Sequence, residues 1–319
     1  MPRGAHLVPR GAHFLRIKTM GPSWLFVFLT LFLCIFTLIY VRRRVTGKLY
    51  QPRRTHTKRL IKLSQHNLYI NTITGNHYYS KPPVGEYIHL WWIREWPNNK
   101  SVLYFHGNSY NISYREYMIK ICKLLKLNLL LVDYRGYGRS DGKPSSSNIL
   151  RDAKLACNFL LTRTEPSNII IWGESLGGTP ATYAASRIQC SNLLLFSTFA
   201  SLHELISSDT PMSNIIYSLV RAVTQDIDYD TNNVEFLSKV TSPVLIMHSK
   251  GDTLIPYANA EKLYDSVKHS NKSLMTIEGD HASPKLTLDN IRSMVAFLDL
   301  KTSDETLVKV ETIINNLEW

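Results

Sequence analysis

From residue 101 onward, short apolar runs alternate with longer stretches whose apolar residues recur every three or four positions. The short runs are strand-length: Val102–Phe105, Asn128–Val132, Ile169–Trp172, Leu193–Phe196, Pro243–Met247 and Ser273–Ile277. Runs that are apolar on both faces are what buried parallel strands require. Between them, Tyr114–Leu125, Asn148–Thr164, Thr179–Arg187, Pro256–Lys268 and Lys285–Leu298 predict helices. In the second of these, Ile149, Ala153, Ala156 and Leu160 fall on one face, as a helix packed on a sheet needs. Leu60–Thr74 and Tyr87–Arg94 show strand-like alternation and aromatic content, punctuated by Pro82-Pro83 and Pro97-Asn98-Asn99. Together these segments predict one α/β domain over residues 67–300, with a mostly parallel central sheet flanked by helices. The alternation breaks between Ser197 and Lys239, where Thr198–Ala222 is rich in Ser, Leu and Ile and Gln225–Asp230 is acidic. Residues 198–239 therefore read as a small helical cap, the alternative being an excursion without substrate contact. Residues 301–319 read as a C-terminal tail.

One apolar run is too long for a strand. Trp24–Val41 is 18 residues without a charge, enough for a transmembrane helix. Trp24 and Tyr40 lie near its ends, where amphipathic rings favour the membrane interface. Arg42-Arg43-Arg44 follow at once and resemble a stop-transfer flank, so the segment reads as a retained anchor, a cleaved signal peptide being the alternative. Residues 42–66 then form a basic juxtamembrane linker. Eight Lys and Arg lie between 42 and 59 against four ahead of the anchor; the positive-inside rule places the folded domain on the cytosolic side, with a lumenal placement as the alternative. Within residues 1–19, PRGAH occurs at Pro2–His6 and again at Pro9–His13, and Leu7–Gly11 resembles a thrombin-cleavage linker. This stretch is read as a leader or an added segment, outside the fold.

The net charge of +12 would suit a nucleic-acid binder, but its distribution does not. Residues 1–85 hold 14 Lys and Arg and no acid, while residues 86–319 hold 23 Lys and Arg against 25 Asp and Glu. The folded part is thus close to neutral, without the basic face that nucleic acid requires, and membrane lipids are the partners the leader charge suggests. Cys122, Cys157 and Cys190 lack C-x-x-C spacing and a neighbouring His cluster; they read as buried thiols rather than zinc ligands or a disulfide framework.

The chemistry concentrates in Ile169–Gly178, IIIWGESLGG. Its core is Gly173-Glu174-Ser175-Leu176-Gly177, a G-x-S-x-G turn between a β-branched strand and an Ala-rich helix. Such a turn lifts a serine hydroxyl above the sheet edge, making Ser175 the candidate nucleophile. The order expected on this scaffold is Ser, then acid, then His. Only His203, His248, His269 and His281 follow Ser175. His281, in Glu278-Gly279-Asp280-His281 after the last strand, is the candidate base. Asp252, between PVLIM and the helix at Pro256, is the candidate orienting acid; Asp280 is its rival but adjoins the base in sequence. The oxyanion donors would be the backbone N–H groups of Leu176 and of Asn108, in the His106-Gly107-Asn108 loop after an earlier strand. Asp133–Ser140, DYRGYGRS, lacks the Gly-Lys-Ser/Thr end of a P-loop and reads as a structural turn.

With these residues in view the chain resembles the α/β-hydrolase superfamily. It is similar in particular to the membrane-anchored alpha/beta-hydrolase domain-containing proteins of the 12, 13 and 17 group. HGN at 106–108, DYRGYGRSDGKP at 133–144, GESLGG at 173–178, GDTLIP at 251–256 and GDH at 279–281 carry the resemblance, in the family's order over roughly residues 85–300. It implies an α/β-hydrolase fold and a Ser175–His281–Asp252 triad working without a cofactor or metal. Relatives include lysophospholipid lipases and protein depalmitoylases; the cysteine-rich N-terminus of the depalmitoylase branch is absent here. The expected function is a single-pass, membrane-anchored serine hydrolase of lipid or acyl esters or thioesters. The alternatives are a serine peptidase of the same fold and a non-catalytic membrane-tethered scaffold.

Overall fold

The computed structural model describes residues 22–57, 63, 65–202, 204 and 231–317. The chain divides between Thr46 and Gly47 into two compact units. Helix α1, Pro22–Leu49, begins in the first. Its described side chains between Phe26 and Tyr40 are exposed and almost all apolar. Among the described residues no helix is long and apolar enough to cross a membrane; the unbroken described run is 26–37, and the rest of the expected anchor, together with residues 1–21, lies outside it.

Among the described residues the second unit is built on a sheet of ten strands. In chain order its elements are β1 Gln51–Pro52, β2 Asn67–Asn71, β3 His77–Tyr78, β4 Tyr87–Ile93, β5 Ser101–Phe105, β6 Ser109–Tyr110, α2 Glu116–Leu124, β7 Asn128–Asp133, α3 Ser146–Leu161, β8 Ile169–Glu174, α4 Gly178–Ala185, β9 Asn192–Phe196, α5 Asn233–Leu237, β10 Val244–Ser249, α6 Ala258–Ser266, β11 Lys272–Asp280, β12 Ser283–Lys285, α7 Leu288–Phe297 and α8 Asp304–Asn315. The large sheet runs β12-β11-β10-β9-β8-β5-β7-β4-β2-β3. Its six central strands, β11 through β7, pair in parallel, and both flanks are antiparallel. Alternate residues of the apolar strands feed opposite cores. Leu103, Phe105, Ile169 and Ile171 pack with α3, α4 and α6, whereas Val102, Tyr104, Ile170 and Trp172 pack with α2, α7 and α8. That two-faced burial is why the runs lack polar alternation.

Two expected boundaries change. The expected C-terminal tail contains a packed helix: α8 carries Leu307, Val310 and Ile314 at helical spacing, and all three are buried in the second core. The expected basic linker, 42–66, is in part folded. Tyr50 is buried and its hydroxyl meets Ser146 Oγ at 2.9 Å. β1 pairs in parallel with β6, and Thr57 N–H and Oγ1 both reach Ser113. Most of the expected cap, residues 205–230, lies outside the described residues. The ends of that excursion are tied together: Ser201 bridges Asn232, and Asn233 bonds Phe199 O and Thr182 Oγ1.

Candidate active site

The C-terminal ends of β5, β8, β10 and β11 bring four separate loops to one edge of the sheet. At the end of β8 the chain enters a tight 3-10 turn, Ser175–Gly177, before α4. Ser175 sits in the left-handed region at φ +51°, a conformation that costs a non-glycine residue about 1–2 kcal/mol. Glycines make the turn possible by leaving out side-chain volume. A Cβ at Gly177 would lie 2.0 Å from Phe105 O, and one at Gly178 would lie 2.1 Å from Thr198 Oγ1. Thr198 Oγ1 also donates to Ser175 O at 2.7 Å, fixing the serine's own peptide.

Ser175 Oγ lies 3.1 Å from His281 Nε2, and His281 Nδ1 lies 2.7 Å from Asp252 Oδ2. The three sequence-predicted residues therefore form one continuous hydrogen-bonded line. Asp252 Oδ1 accepts the backbone N–H groups of Leu254 and Ile255 at 3.0 and 2.7 Å. Burial pushes its carboxyl up, but hydrogen bonds from His248 and His281 and the Ile255 N–H outweigh this and hold it below the usual carboxylate range. A buried, ionised carboxylate on Nδ1 leaves Nε2 as the acceptor facing the serine, the tautomer a general base needs.

The Asp280 carboxylate bonds the His281 backbone, while the ring's Nδ1 faces Asp252. Asp280 Oδ1 accepts from Thr253 N, Thr253 Oγ1 and His281 N at 3.0, 3.0 and 2.7 Å. It therefore fastens the Asp252 loop to the His281 loop. Ser249 Oγ donates to Gly279 O and accepts Gly251 N–H, a second tie between the same loops. His248 donates Nε2–H to Ile255 O at 2.8 Å and lies 3.4 Å from Asp252 Oδ2, so it braces Asp252. His203 lies outside the described residues.

The His106–Asn108 loop stands beside Ser175, since a Cβ on Gly107 would lie 3.5 Å from Ser175 Cβ. Asn108 O accepts Gln51 N–H at 3.0 Å and Tyr137 OH at 2.8 Å, which holds this loop from behind. Leu176, the other candidate oxyanion donor, is buried in the 3-10 turn. Asp133–Ser140 holds a turn pinned where Asp152 accepts Arg135 N–H and Nε–H at 2.8 and 2.7 Å.

Sequence reasoning missed a buried polar cluster behind the serine. Glu174 Oε2 accepts the hydroxyls of Tyr104 and Tyr117, which meet each other at 2.7 Å. Burial, reinforced by the Glu174 charge, holds both phenols well above the usual tyrosine range, so they remain donors. Arg115, also buried, donates to Ser109 O at 2.9 Å. Glu174 occupies a variable position of G-x-S-x-G and its partners are 70 and 57 residues away, so no local pattern marks them. The cysteine reading agrees with the structure: Cys122, Cys157 and Cys190 are free and buried, and burial pushes Cys157 and Cys190 up to about 12 and about 11.

Known proteins bear on this geometry. A family described as serine aminopeptidase, S33, matches residues 97–231. An uncharacterized protein, R595, of Acanthamoeba polyphaga mimivirus is 31% identical over 270 residues, covering 78% of this chain and 89% of its own. Alpha/beta hydrolase domain-containing protein 17C of Xenopus laevis is 28% identical over 218 residues, 67% of this chain and 66% of its own. Among solved structures, the Pyrococcus furiosus esterase Pf2001 superposes with a TM-score of 0.55 at 17% identity, covering 85% of this chain and 98% of its own.

Proposed function

The chain belongs to the α/β-hydrolase family, and we propose that within it this protein is a serine hydrolase of acyl esters or thioesters. The observation that carries the reading is the line Ser175–His281–Asp252, at 3.1 and 2.7 Å, assembled from residues 106 and 29 positions apart. Ser175 Oγ attacks the acyl carbon while His281 Nε2 takes its proton. Asp252 stabilises the imidazolium. The N–H groups of Leu176 and Asn108 receive the negative oxygen. His281 then protonates the departing alcohol or thiol, and water, deprotonated by His281, releases the acid. None of these steps draws on a cofactor or metal. The esterase fold match supports an ester substrate. The serine aminopeptidase match favours a peptidase as the second reading, with the same groups delivering the proton to a departing amine.

The proposal includes a setting. The 18 uncharged residues Trp24–Val41 and the arginines after them support a single-pass anchor with the hydrolase domain on the cytosolic side. An enzyme held there meets lipid esters and acylated proteins.

A fluorophosphonate probe tests the chemistry. The wild-type chain should be labelled and Ser175→Ala should not be, with esterase turnover falling by about 10³-fold or more. Folded wild-type protein that resists labelling would sink the enzyme reading. A chain-length series of p-nitrophenyl esters, a lysophospholipid panel and aminoacyl p-nitroanilides then separate esterase from peptidase by kcat/KM.

A further inference from the structure

We propose that His56, His89 and Asp133 form a binding site for one divalent transition-metal ion, zinc being the ion this ligand set suits best, and that the ion fastens the segment after α1 to the central sheet. The ligand atoms of the three residues lie within 4.8 Å of one another. His89 and Asp133 are fully buried, and His56 is nearly so. Asp133 Oδ2 stands 3.0 Å from His89 Nδ1 and 3.6 Å from His56 Nε2. Two ligands on one tetrahedral zinc, each about 2.1 Å from it, are about 3.4 Å apart, between those two spacings.

Hydrogen-bond accounting makes a cation the simplest occupant. Trp91 Nε1–H, which only donates, meets Asn67 Oδ1 at 3.0 Å. That contact fixes the Asn67 oxygen toward His89, whose Nε2 is 2.9 Å from the same atom. His89 Nε2 therefore carries a proton, and Nδ1 of the neutral ring is a lone pair. It faces Asp133 Oδ2, also an acceptor. Something positive must stand between them: a second proton on His89 or a metal ion. The other carboxylate oxygen is already committed to Ile112 N–H at 2.9 Å. A proton would satisfy His89 but not His56, whose Nε2 is buried, aimed at the same Oδ2 and without a hydrogen bond. One cation satisfies all three. The Nε2–H bond from His89 to Asn67 would then be the outer contact that orients a metal-bound imidazole.

The backbone leaves room at this point. Gly138 has φ +47°, and a Cβ there would lie 2.1 Å from Asp133 Oδ2 and 2.9 Å from His56 Nε2. Any larger residue would press on the donor atoms themselves.

The consequence for the molecule follows from where His56 lies. It ends a strap, residues 50–57, whose Gln51 N–H holds Asn108 O and whose Arg53 and Thr55 carbonyls accept from Asn111 Nδ2 at 2.8 and 3.0 Å. An ion shared with His89 on β4 and Asp133 on β7 would lock that strap to the sheet, and with it the support behind the oxyanion loop. With three protein ligands the ion would keep a fourth position for water, and its role would be to hold the strap, apart from the serine chemistry.

The full chain, purified in detergent and stripped with a chelator, is the sample. After zinc is added and excess removed, elemental analysis should find about one equivalent retained, with the melting temperature raised. His56→Ala should lose both the retained zinc and the zinc-dependent rise, while His77→Ala, an exposed histidine outside the cluster, should keep both. Cobalt should give the visible absorption of a tetrahedral site in wild type and His77→Ala only. Folded wild type that retains no zinc and melts identically with and without it overturns the proposal. So does retention that His56→Ala leaves unchanged. Should His56→Ala fail to fold, the wild-type retention and cobalt spectrum still decide.

Discussion

Asp252 has more than one task, and each uses a different oxygen. Oδ2 holds His281 and Oδ1 closes its own loop through Leu254 and Ile255 N–H. Asp252→Asn would keep the loop bonds but offer an N–H or a neutral oxygen to Nδ1, favouring the wrong tautomer. Turnover should fall by about 10³–10⁴-fold with circular dichroism unchanged; a loss under tenfold would remove Asp252 from the mechanism. His106 makes a prediction about pH. Burial lowers its imidazole to about 3, aided by Arg115 and opposed by Asp133 and the Gly107 carbonyl. In the unfolded chain it titrates near its ordinary value, about 6.5. Between those values the unfolded state binds the extra proton, so stability is lost as pH falls from 6.5 toward 3, by at most about 1.4 kcal/mol per unit from this group. In His106→Asn the urea midpoint should depend less steeply on pH between 6.5 and 4. An unchanged slope would show that other groups set the acid sensitivity. Ser175 and His281 stood out as candidates in the sequence, and Asp252 with Asp280 as its rival, because each sits in a short motif after a strand. Thr198, His248 and Glu174 did not, because their partners are distant in the chain.

At the scale of elements, the Ser175–Gly177 turn depends on volume. Gly177 is packed against backbone atoms of β5 and the next loop, Phe105 O and His106 O at 2.0 and 2.8 Å from a would-be Cβ, and backbone has little freedom to retreat. Gly177→Ala should cost about 3 kcal/mol of stability by urea denaturation. Gly107→Ala, whose nearest neighbours would stand at 3.4 and 3.5 Å, should fold nearly normally, so equal losses would contradict the packing argument. The alternation of short apolar runs located every strand of the parallel core to within two or three residues, because burial on both faces leaves an unmistakable pattern. It missed α8 and the strap. Residues 304–315 are short and mostly charged or polar outside Leu307, Val310 and Ile314, and the strap is held by hydrogen bonds that have no sequence period.

For the whole molecule, the proposed anchorage is tested by flotation. The full chain should rise with phospholipid vesicles and resist carbonate extraction. Leu33→Arg with Phe36→Arg, which interrupts the uncharged run, should release it, since a charge at the centre of a spanning helix costs about 3 kcal/mol; a wild-type chain that stays at the bottom of the gradient would refute the anchor. The sequence by itself determined the fold class, the chain order of the candidate serine, acid and histidine, and the free, buried state of three cysteines. Each depends on local pattern: burial periodicity, turn chemistry, or the absence of paired spacing. Only the tertiary structure decided between Asp252 and Asp280, because the choice turns on which carboxylate faces the His281 ring across two loops. Only it could show Asn108 held from behind by Gln51, or His56 brought against His89 and Asp133. Those juxtapositions arise when strands distant in sequence lie side by side, and no stretch of chain encodes them alone.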